Sequence, residues 1–206
     1  MKATRIALSA VLLLFATAVC GQSDAPKPAE KMKTAATSSE NKTASDQTPQ
    51  ANPLSSWNKM AYGQVKIILL RSAEKMPEQN YSFKPTDSVR NYGSIVGHIA
   101  DSQYYFCSTA LGEKDPSLNI EKTKTSKADL VAALKDAFAY CDKAYDSMTD
   151  ASGVQSVKLF GQDMPKLEVL TVNNMHNMEH YGNLVTYMRI KNIVPPTSDP
   201  QFRPQP

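Results

Sequence analysis

Apolar side chains recur at helical spacing in four stretches beyond the first quarter of the chain. The pattern predicts four helices, over residues 56–76, 87–111, 126–148 and 165–192. Pro77, Gly112 and Pro195 lie just past the ends of three of them, where helices commonly stop. Between 149 and 164 turn residues interrupt the spacing, and only 157–160 is predicted to be a short extended segment. Four helices of this length in one small domain predict an all-α fold, a four-helix bundle.

Polar residues just before these stretches are candidate helix N-caps, because their side chains can accept hydrogen bonds from backbone N–H groups of the first turn. Ser55 or Ser56 would cap the first helix, and Asp87 or Ser88 the second. For the third helix the predicted cap is Ser126.

The first 21 residues have the layout of a secretory signal peptide. Lys2 and Arg5 precede an apolar run over 6–19, and small or uncharged residues follow. The run is shorter than the about 20 residues that a transmembrane helix needs. We therefore predict export to the periplasm or the cell exterior, with residues 1–21 removed and no membrane span.

Cys20 leaves two outcomes of this processing open. A cysteine directly after the apolar run is the lipidated residue of bacterial lipoproteins, which would anchor the protein to the envelope. Thr17, Ala18 and Val19 match that signal poorly, so cleavage near Gly21 is the preferred interpretation.

The composition changes sharply after the predicted signal peptide. Between residues 23 and 53 there is no aromatic residue, and Met32 is the only large apolar side chain. Such a segment cannot bury enough apolar surface to offset its ordering entropy. We therefore predict a disordered spacer over 22–55, a helical domain over 56–196 and a Pro-rich tail over 197–206.

The charge balance argues against nucleic acid as a partner. The chain has 23 basic and 20 acidic residues, a formal net charge of +3, and no run of five or more basic residues. The oligomeric state stays open, and a homodimer is one of the assemblies that the sequence allows.

The chain has three histidines, and all of them fall on predicted helices. His176 and His180 are four residues apart and share one face of the fourth helix. That face is mostly apolar and is expected to point inward; its other members are Val169, Val172, Asn173, Asn183, Leu184, Tyr187 and Ile190. His98 lies mid-way along the second helix, beside Gly93 and Gly97, which predict close approach of another element or a cofactor.

Three inward imidazoles on two helices suit a single divalent metal ion. A catalytic site of the zinc type needs about three protein ligands and one open position, and bundles build such sites from facing helices. We predict that His98, His176 and His180 are the ligands, of zinc, nickel, copper or iron. Three separate core histidines, each hydrogen-bonded on its own, are the alternative.

A second motif overlaps the same residues. His176, Glu179 and His180 match the inverted zinc-peptidase pattern H-x-x-E-H, with Glu179 as the base. That class needs a further acidic ligand downstream, and after His180 the chain has no Glu and only Asp199, in the Pro-rich tail. We therefore set this interpretation aside.

Two cysteines, Cys107 and Cys141, lie on the second and third predicted helices. Export to an oxidising compartment favours a disulfide between them. Two small, partly buried thiols are the alternative, because spacing along the sequence does not decide whether the helices bring the cysteines together.

Two segments of the chain resemble the DinB-like superfamily, which includes the YfiT-like metalloenzymes. They are YSFKPTDSVRNYGSIVGHIADSQYYF and NNMHNMEHYGNLVTYMRIKNIVPP. The first carries His98 in a VGHI stretch. The second carries the pattern H-x-x-x-H-x-G-x-L-x-x-Y-x-R, with the family's residues at His176, His180, Gly182, Leu184, Tyr187 and Arg189.

The resemblance implies an up-down-down-up four-helix bundle with a divalent cation on the three histidines. Characterised relatives include transferases and isomerases that use low-molecular-weight thiols such as bacillithiol or mycothiol. A metal-dependent hydrolase or thiol-dependent transferase acting on a small molecule is therefore expected, and a non-catalytic metal- or ligand-binding module is the alternative. Tyr187, Asn173 and Asn183 are candidate pocket residues, and no general base is assigned.

Overall fold

The computed structural model describes residues 51–202. The predicted signal peptide, nearly all of the predicted spacer and the last four residues of the predicted tail lie outside the described residues. The long helices are α1 (Pro53–Lys75), α2 (Tyr92–Leu111), α4 (Lys127–Ser147) and α6 (Lys166–Ile190). The short elements are α3 (Ile120–Thr123), α5 (Asp150–Gly153), an antiparallel hairpin of β1 (Ser156–Leu159) and β2 (Gln162–Pro165), and 3-10 turns at Glu78–Asn80 and Pro196–Ser198.

The four long helices form an up-down-down-up bundle, as the resemblance implied. Tyr92 at the start of α2 donates to the carbonyl of Ser72 near the end of α1, so these helices are antiparallel. Asn58 near the start of α1 donates to Thr171 near the start of α6, so these two run the same way. Gly97 near the start of α2 faces Leu130 near the start of α4, which makes the middle pair parallel.

A disulfide between Cys107 and Cys141 joins α2 to α4. Their Cα atoms are 5.3 Å apart, within the range that a disulfide spans without backbone movement. Both residues are fully buried, among the apolar side chains at the centre of the bundle. Of the two outcomes that the sequence left open, the structure shows the disulfide.

The predicted start of the second helix is wrong. Helix α2 begins at Tyr92, and its N-cap is Asn91, whose side chain accepts a 2.7 Å hydrogen bond from the backbone N of Ser94. Asp87 and Ser88 lie in the preceding loop. The prediction for α4 is confirmed, because the hydroxyl of Ser126 accepts from the backbone N of Asp129.

Helix α1 begins three residues earlier than predicted, at Pro53, and neither Ser55 nor Ser56 caps it. The carboxylate of Asp150 serves instead, since it accepts hydrogen bonds from the backbone N atoms of Leu54 and Ser55 at 3.2 and 2.8 Å. A side chain from α5 thus supplies what a local cap would have supplied.

The inward face predicted for α6 is largely confirmed. Val169, Asn173, Leu184 and Tyr187 are buried, and Val172 is partly buried. The prediction is wrong for Asn183 and Ile190, which are exposed. Leu184, Tyr187 and Met188 stay buried near the end of α6, so Asn183 and Ile190 lie on the side of the helix that faces away from the core.

Candidate functional site

The three histidines of the chain come together between α2 and α6. Nε2 of His176 lies 3.1 Å from Nε2 of His98 and 3.1 Å from Nε2 of His180. One ring nitrogen from each residue can be chosen so that all three lie within 4.8 Å of one another. His180 is buried, and His98 and His176 are partly buried. The helical pair at 176 and 180 and the more distant His98 therefore form one cluster, as predicted.

The three imidazoles cannot satisfy one another by hydrogen bonding. Each nitrogen of a neutral imidazole offers one N–H or one lone pair. Nε2 of His176 faces two neighbouring nitrogens, so it can make one good hydrogen bond and not two. In addition, the Nδ1 atoms of His176 and His180 are buried and have no hydrogen-bond partner among residues 51–202. Unsatisfied buried polar atoms are costly, and a shared cation would remove part of that cost.

The surroundings keep the cluster uncharged. Burial, followed by the imidazoles of His180 and His98, lowers the pKa of His176 to about 3. Burial also lowers the pKa values of His98 and His180. Neutral imidazole is the form that binds transition metals, so the lone pairs are available without prior loss of a proton near neutral pH.

Glu121 contacts Nδ1 of His98, the ring nitrogen that is not directed at His176. Its Oε2 atom lies 3.3 Å from Nδ1 of His98, and its Oε1 atom accepts a 2.8 Å hydrogen bond from Nε of Arg90. This contact favours the tautomer with the proton on Nδ1, which leaves the lone pair of Nε2 facing the other two histidines. A carboxylate behind a ligating histidine is a common supporting interaction in metal sites.

Helix α3 is placed so that Glu121 reaches His98. The carboxylate of Asp101, one turn after His98 on α2, accepts hydrogen bonds from the backbone N atoms of Ile120 and Glu121 at 2.8 and 2.9 Å. A Cβ atom on Gly97 would lie 2.7 Å from Cα of Glu121, so the absence of a side chain there permits the approach. The expectation of close packing at Gly97 is confirmed, whereas the role of Glu121 was not predicted.

A cavity of about 450 Å³ opens beside His98 and His176. Its walls come from α2, from the 112–126 connection, which includes α3, and from the tip of the β hairpin. A second cavity of about 430 Å³ adjoins His180 and is lined by Asn183 and Tyr187, two of the predicted pocket residues.

The third predicted pocket residue, Asn173, belongs to the core instead. It is fully buried and donates hydrogen bonds to Oε1 of Gln103 at 3.0 Å and to the hydroxyl of Tyr145 at 3.2 Å. Gln103 in turn donates to Asn177, next to His176 along α6. This polar network connects α2 and α4 to α6 and ends at Asn177, the residue next to His176.

Glu179 does not join the cluster. Its side chain is exposed on α6, and the group of residues between 51 and 202 that could hold a metal ion consists of the three imidazoles alone. This agrees with setting the inverted zinc-peptidase motif aside.

None of the helices in this part of the chain has the length and apolar character needed to cross a membrane.

A family model described as the DinB superfamily matches residues 67–184, more than half of the chain. Among curated proteins, the chain is 26% identical over 121 residues to the uncharacterized protein YjoA of Bacillus subtilis (strain 168). The match covers 57% of this chain and 77% of that protein.

Solved structures show the same fold. A DinB-like protein from Bacillus cereus ATCC 10987 superposes with a TM-score of 0.60 at 14% identity, covering 67% of this chain and 93% of that one. The values for YjoA of Bacillus subtilis are 0.55 and 21%, with 66% and 92% covered. A mutant of the mycothiol-dependent maleylpyruvate isomerase superposes with a TM-score of 0.54 at 13% identity, covering 66% of each chain.

Proposed function

This chain belongs to the DinB superfamily, and we propose that it is an exported metalloprotein that holds one divalent ion on His98, His176 and His180. The observation that carries the proposal is the convergence of three neutral imidazoles beside an open cavity. Ligands at about 2.0–2.1 Å from a tetrahedral zinc ion would be about 3.3 Å apart. Two of the three nitrogen pairs in the cluster are separated by 3.1 Å, close to that spacing.

The donor set also suits an ion with one vacant position. Three neutral nitrogens are compatible with zinc, nickel or iron, and Glu121 supports His98 as an outer partner. A bound ion of this kind acidifies a coordinated water or thiol and polarises an adjacent carbonyl. The protein's own part is to orient the imidazoles, to keep them uncharged and to hold a small molecule in the adjoining cavity.

Two reaction classes follow, hydrolysis by water and transfer or isomerisation by a thiol. The structural neighbour named as a mycothiol-dependent isomerase supports the thiol class by analogy of fold alone. The proposed export would favour the water class, because cytosolic thiols are scarce outside the cell. The proposal is therefore a metal-dependent hydrolase or a thiol-dependent transferase, with the attacking group to be determined.

Metal binding is tested by titrating chelator-treated protein with zinc, nickel and iron(II), followed by metal analysis of the loaded protein. The wild type should retain about one ion per chain. His176→Ala should weaken binding at least about a hundredfold, because it removes one of three ligands. Glu179→Gln is the matched control on the same helix turn and should bind like the wild type. A wild type without stoichiometric metal, or equal losses in both variants, would exclude the site.

The vacant position is tested with cobalt-loaded protein. A small thiol that enters the coordination sphere should add a sulfur-to-cobalt charge-transfer band to the visible spectrum. A spectrum that responds to neither thiol nor a change of pH would indicate a closed or non-catalytic metal site.

Export is tested by mass spectrometry of the mature N-terminus. Cleavage near Gly21 is expected for a soluble exported protein, and a diacylated Cys20 for an envelope-anchored one. A mature chain that still begins at Met1 would contradict both.

A further inference from the structure

The β hairpin carries an aromatic residue at a backbone position that disfavours it. Phe160 and Gly161 form the two-residue turn between β1 and β2, with φ angles of 50° and 79°. Such turns strongly prefer Asn-Gly or Gly-Gly, because a large side chain is disfavoured in left-handed backbone. The other non-glycine residues with positive φ between 51 and 202 are three asparagines and one serine.

Core packing does not account for this phenylalanine. The ring of Phe160 is 68% exposed, so it gains little from burial. Its nearest aromatic neighbours are Tyr105 and Phe106 on α2, with ring centroids 5.7 and 6.2 Å away. All three side chains line the cavity of about 450 Å³ beside the histidines.

A second exposed apolar side chain lines the same cavity. Leu118, in the connection between α2 and α3, is 49% exposed and comes from a different part of the chain. At the inner end, the ring of Phe106 lies 5.4 Å from the ring of His176. Apolar and aromatic surface therefore runs from the hairpin tip to the histidine cluster.

The charged groups of this cavity do not favour an anionic ligand. They are three carboxylates, on Asp101, Asp115 and Glu121, and one ammonium group, on Lys122. The carboxylates of Asp101 and Glu121 are already engaged, the first with backbone N atoms and the second with Arg90. These charges disfavour an anion, and the apolar walls disfavour any charged group because it would lose its hydration there, so a planar, uncharged ring fits this lining best.

From this arrangement we propose that Phe160, Tyr105 and Leu118 form a binding site for an uncharged aromatic group of the substrate. The ring stacks against Phe160 and Tyr105, and the substituent to be attacked reaches past Phe106 to the histidines. The inference rests on the proposed function, in that it names the substrate class of the same site. It assigns Phe160 as a specificity-determining residue.

The test uses the mature full-length protein, as purified and after metal loading, titrated with the uncharged fluorophore N-phenylnaphthylamine. Phe160→Asn removes the ring and places the preferred residue in the turn, so the hairpin should be at least as stable. The variant should bind the fluorophore about three- to tenfold more weakly, the range expected for loss of one aromatic pair. Trp57→Gln removes an equally exposed aromatic side chain on α1 and should leave binding within about twofold.

Three results would overturn the inference: no binding by the wild type, equal binding by Phe160→Asn, or equal losses in Phe160→Asn and Trp57→Gln. Tighter binding of the sulfonated analogue, anilinonaphthalene sulfonate, would overturn the assignment of an uncharged ligand. Metal titration of Phe160→Asn separates the two proposals. Metal binding without a Phe160-dependent fluorophore site refutes only this inference, and a Phe160-dependent site without metal binding refutes only the proposed function.

Discussion

Replacing Gly97 with alanine tests whether the close packing of α2 against α3 holds the candidate site together. A Cβ atom at this position would lie 2.7 Å from Cα and 3.0 Å from N of Glu121. Carbon atoms in contact prefer about 3.5–4.0 Å, so the two helices must separate by roughly 1 Å. Both atoms of Glu121 belong to the backbone, so no side-chain rotation can relieve the overlap.

The net effect can be worked from two opposing contributions. Overpacking of this kind typically costs about 1–3 kcal/mol. Alanine in a helix interior is favoured over glycine by about 1 kcal/mol, which offsets part of that cost. We expect Gly97→Ala to lower the free energy of unfolding by up to about 2 kcal/mol.

The chain provides two matched controls. Gly63 on α1 and Gly182 on α6 are also inside helices, and a Cβ atom at either would meet nothing within 4 Å. Gly63→Ala and Gly182→Ala should therefore raise the free energy of unfolding by about 0.5–1 kcal/mol. Urea unfolding of all three variants, followed by far-UV circular dichroism, measures the contrast.

A Gly97→Ala protein as stable as either control would refute the reasoning, because it would mean that α3 does not lie against α2 as described. Metal affinity provides an independent readout. Displacing α3 moves the carboxylate of Glu121 away from His98, and loss of such an outer partner typically lowers metal affinity about 10- to 100-fold. The two control variants should bind metal like the wild type.

Three further predictions concern the disulfide, Glu121 and the protonation of His176. Replacing Cys107 and Cys141 together with alanine should cost about 4 kcal/mol of unfolding free energy, from the chain-entropy value for a 34-residue separation; urea unfolding should show the loss, and a reductant should destabilise only the wild type. Glu121→Gln should weaken metal binding at least about tenfold by calorimetry. The control Glu113→Gln should not, because that carboxylate accepts a hydrogen bond from Tyr140 and does not contact the histidines. Because the folded-state pKa of His176 is lowered to about 3 from 6.5, the unfolded chain binds more protons between these values, so the metal-free protein should lose stability as pH falls through this window. Replacing His176 with glutamine should flatten that dependence in urea midpoints measured with chelator present, and an unchanged slope would contradict the lowered pKa.

The helices and the histidine cluster were predictable because both depend on local spacing. Residues four apart on a helix share a face, so His176 and His180 could be paired from the sequence alone. His98 joined them on a different argument, since the chain has no further histidines and buried imidazoles need partners. The structure confirms that these three side chains meet.

Spacing was a poorer guide to which side of α1 faces the core. Trp57 is one of the apolar residues at helical spacing in α1, yet it is 66% exposed. Tyr62 and Ser72 are buried instead, because each has a hydroxyl that donates to a backbone carbonyl inside the bundle. An apolar pattern does not register polar groups that are buried because they find partners in the fold.

The supporting carboxylate could not be found from local spacing, and the topology of the bundle explains why. Helices α2 and α4 are parallel neighbours, so the 112–126 connection must return along the length of α2 before α4 can begin. That return path carries α3, and with it Glu121, past Gly97 to the ring of His98. The same segment brings Leu118 to the cavity wall. In an up-down-up-down bundle the connection would be a short turn at the opposite end of α2, and Nδ1 of His98 would face solvent. Because α2 and α4 are parallel, the connection between them forms one wall of the site. The residues in that wall depend on where the connection passes and not on any repeat in the sequence.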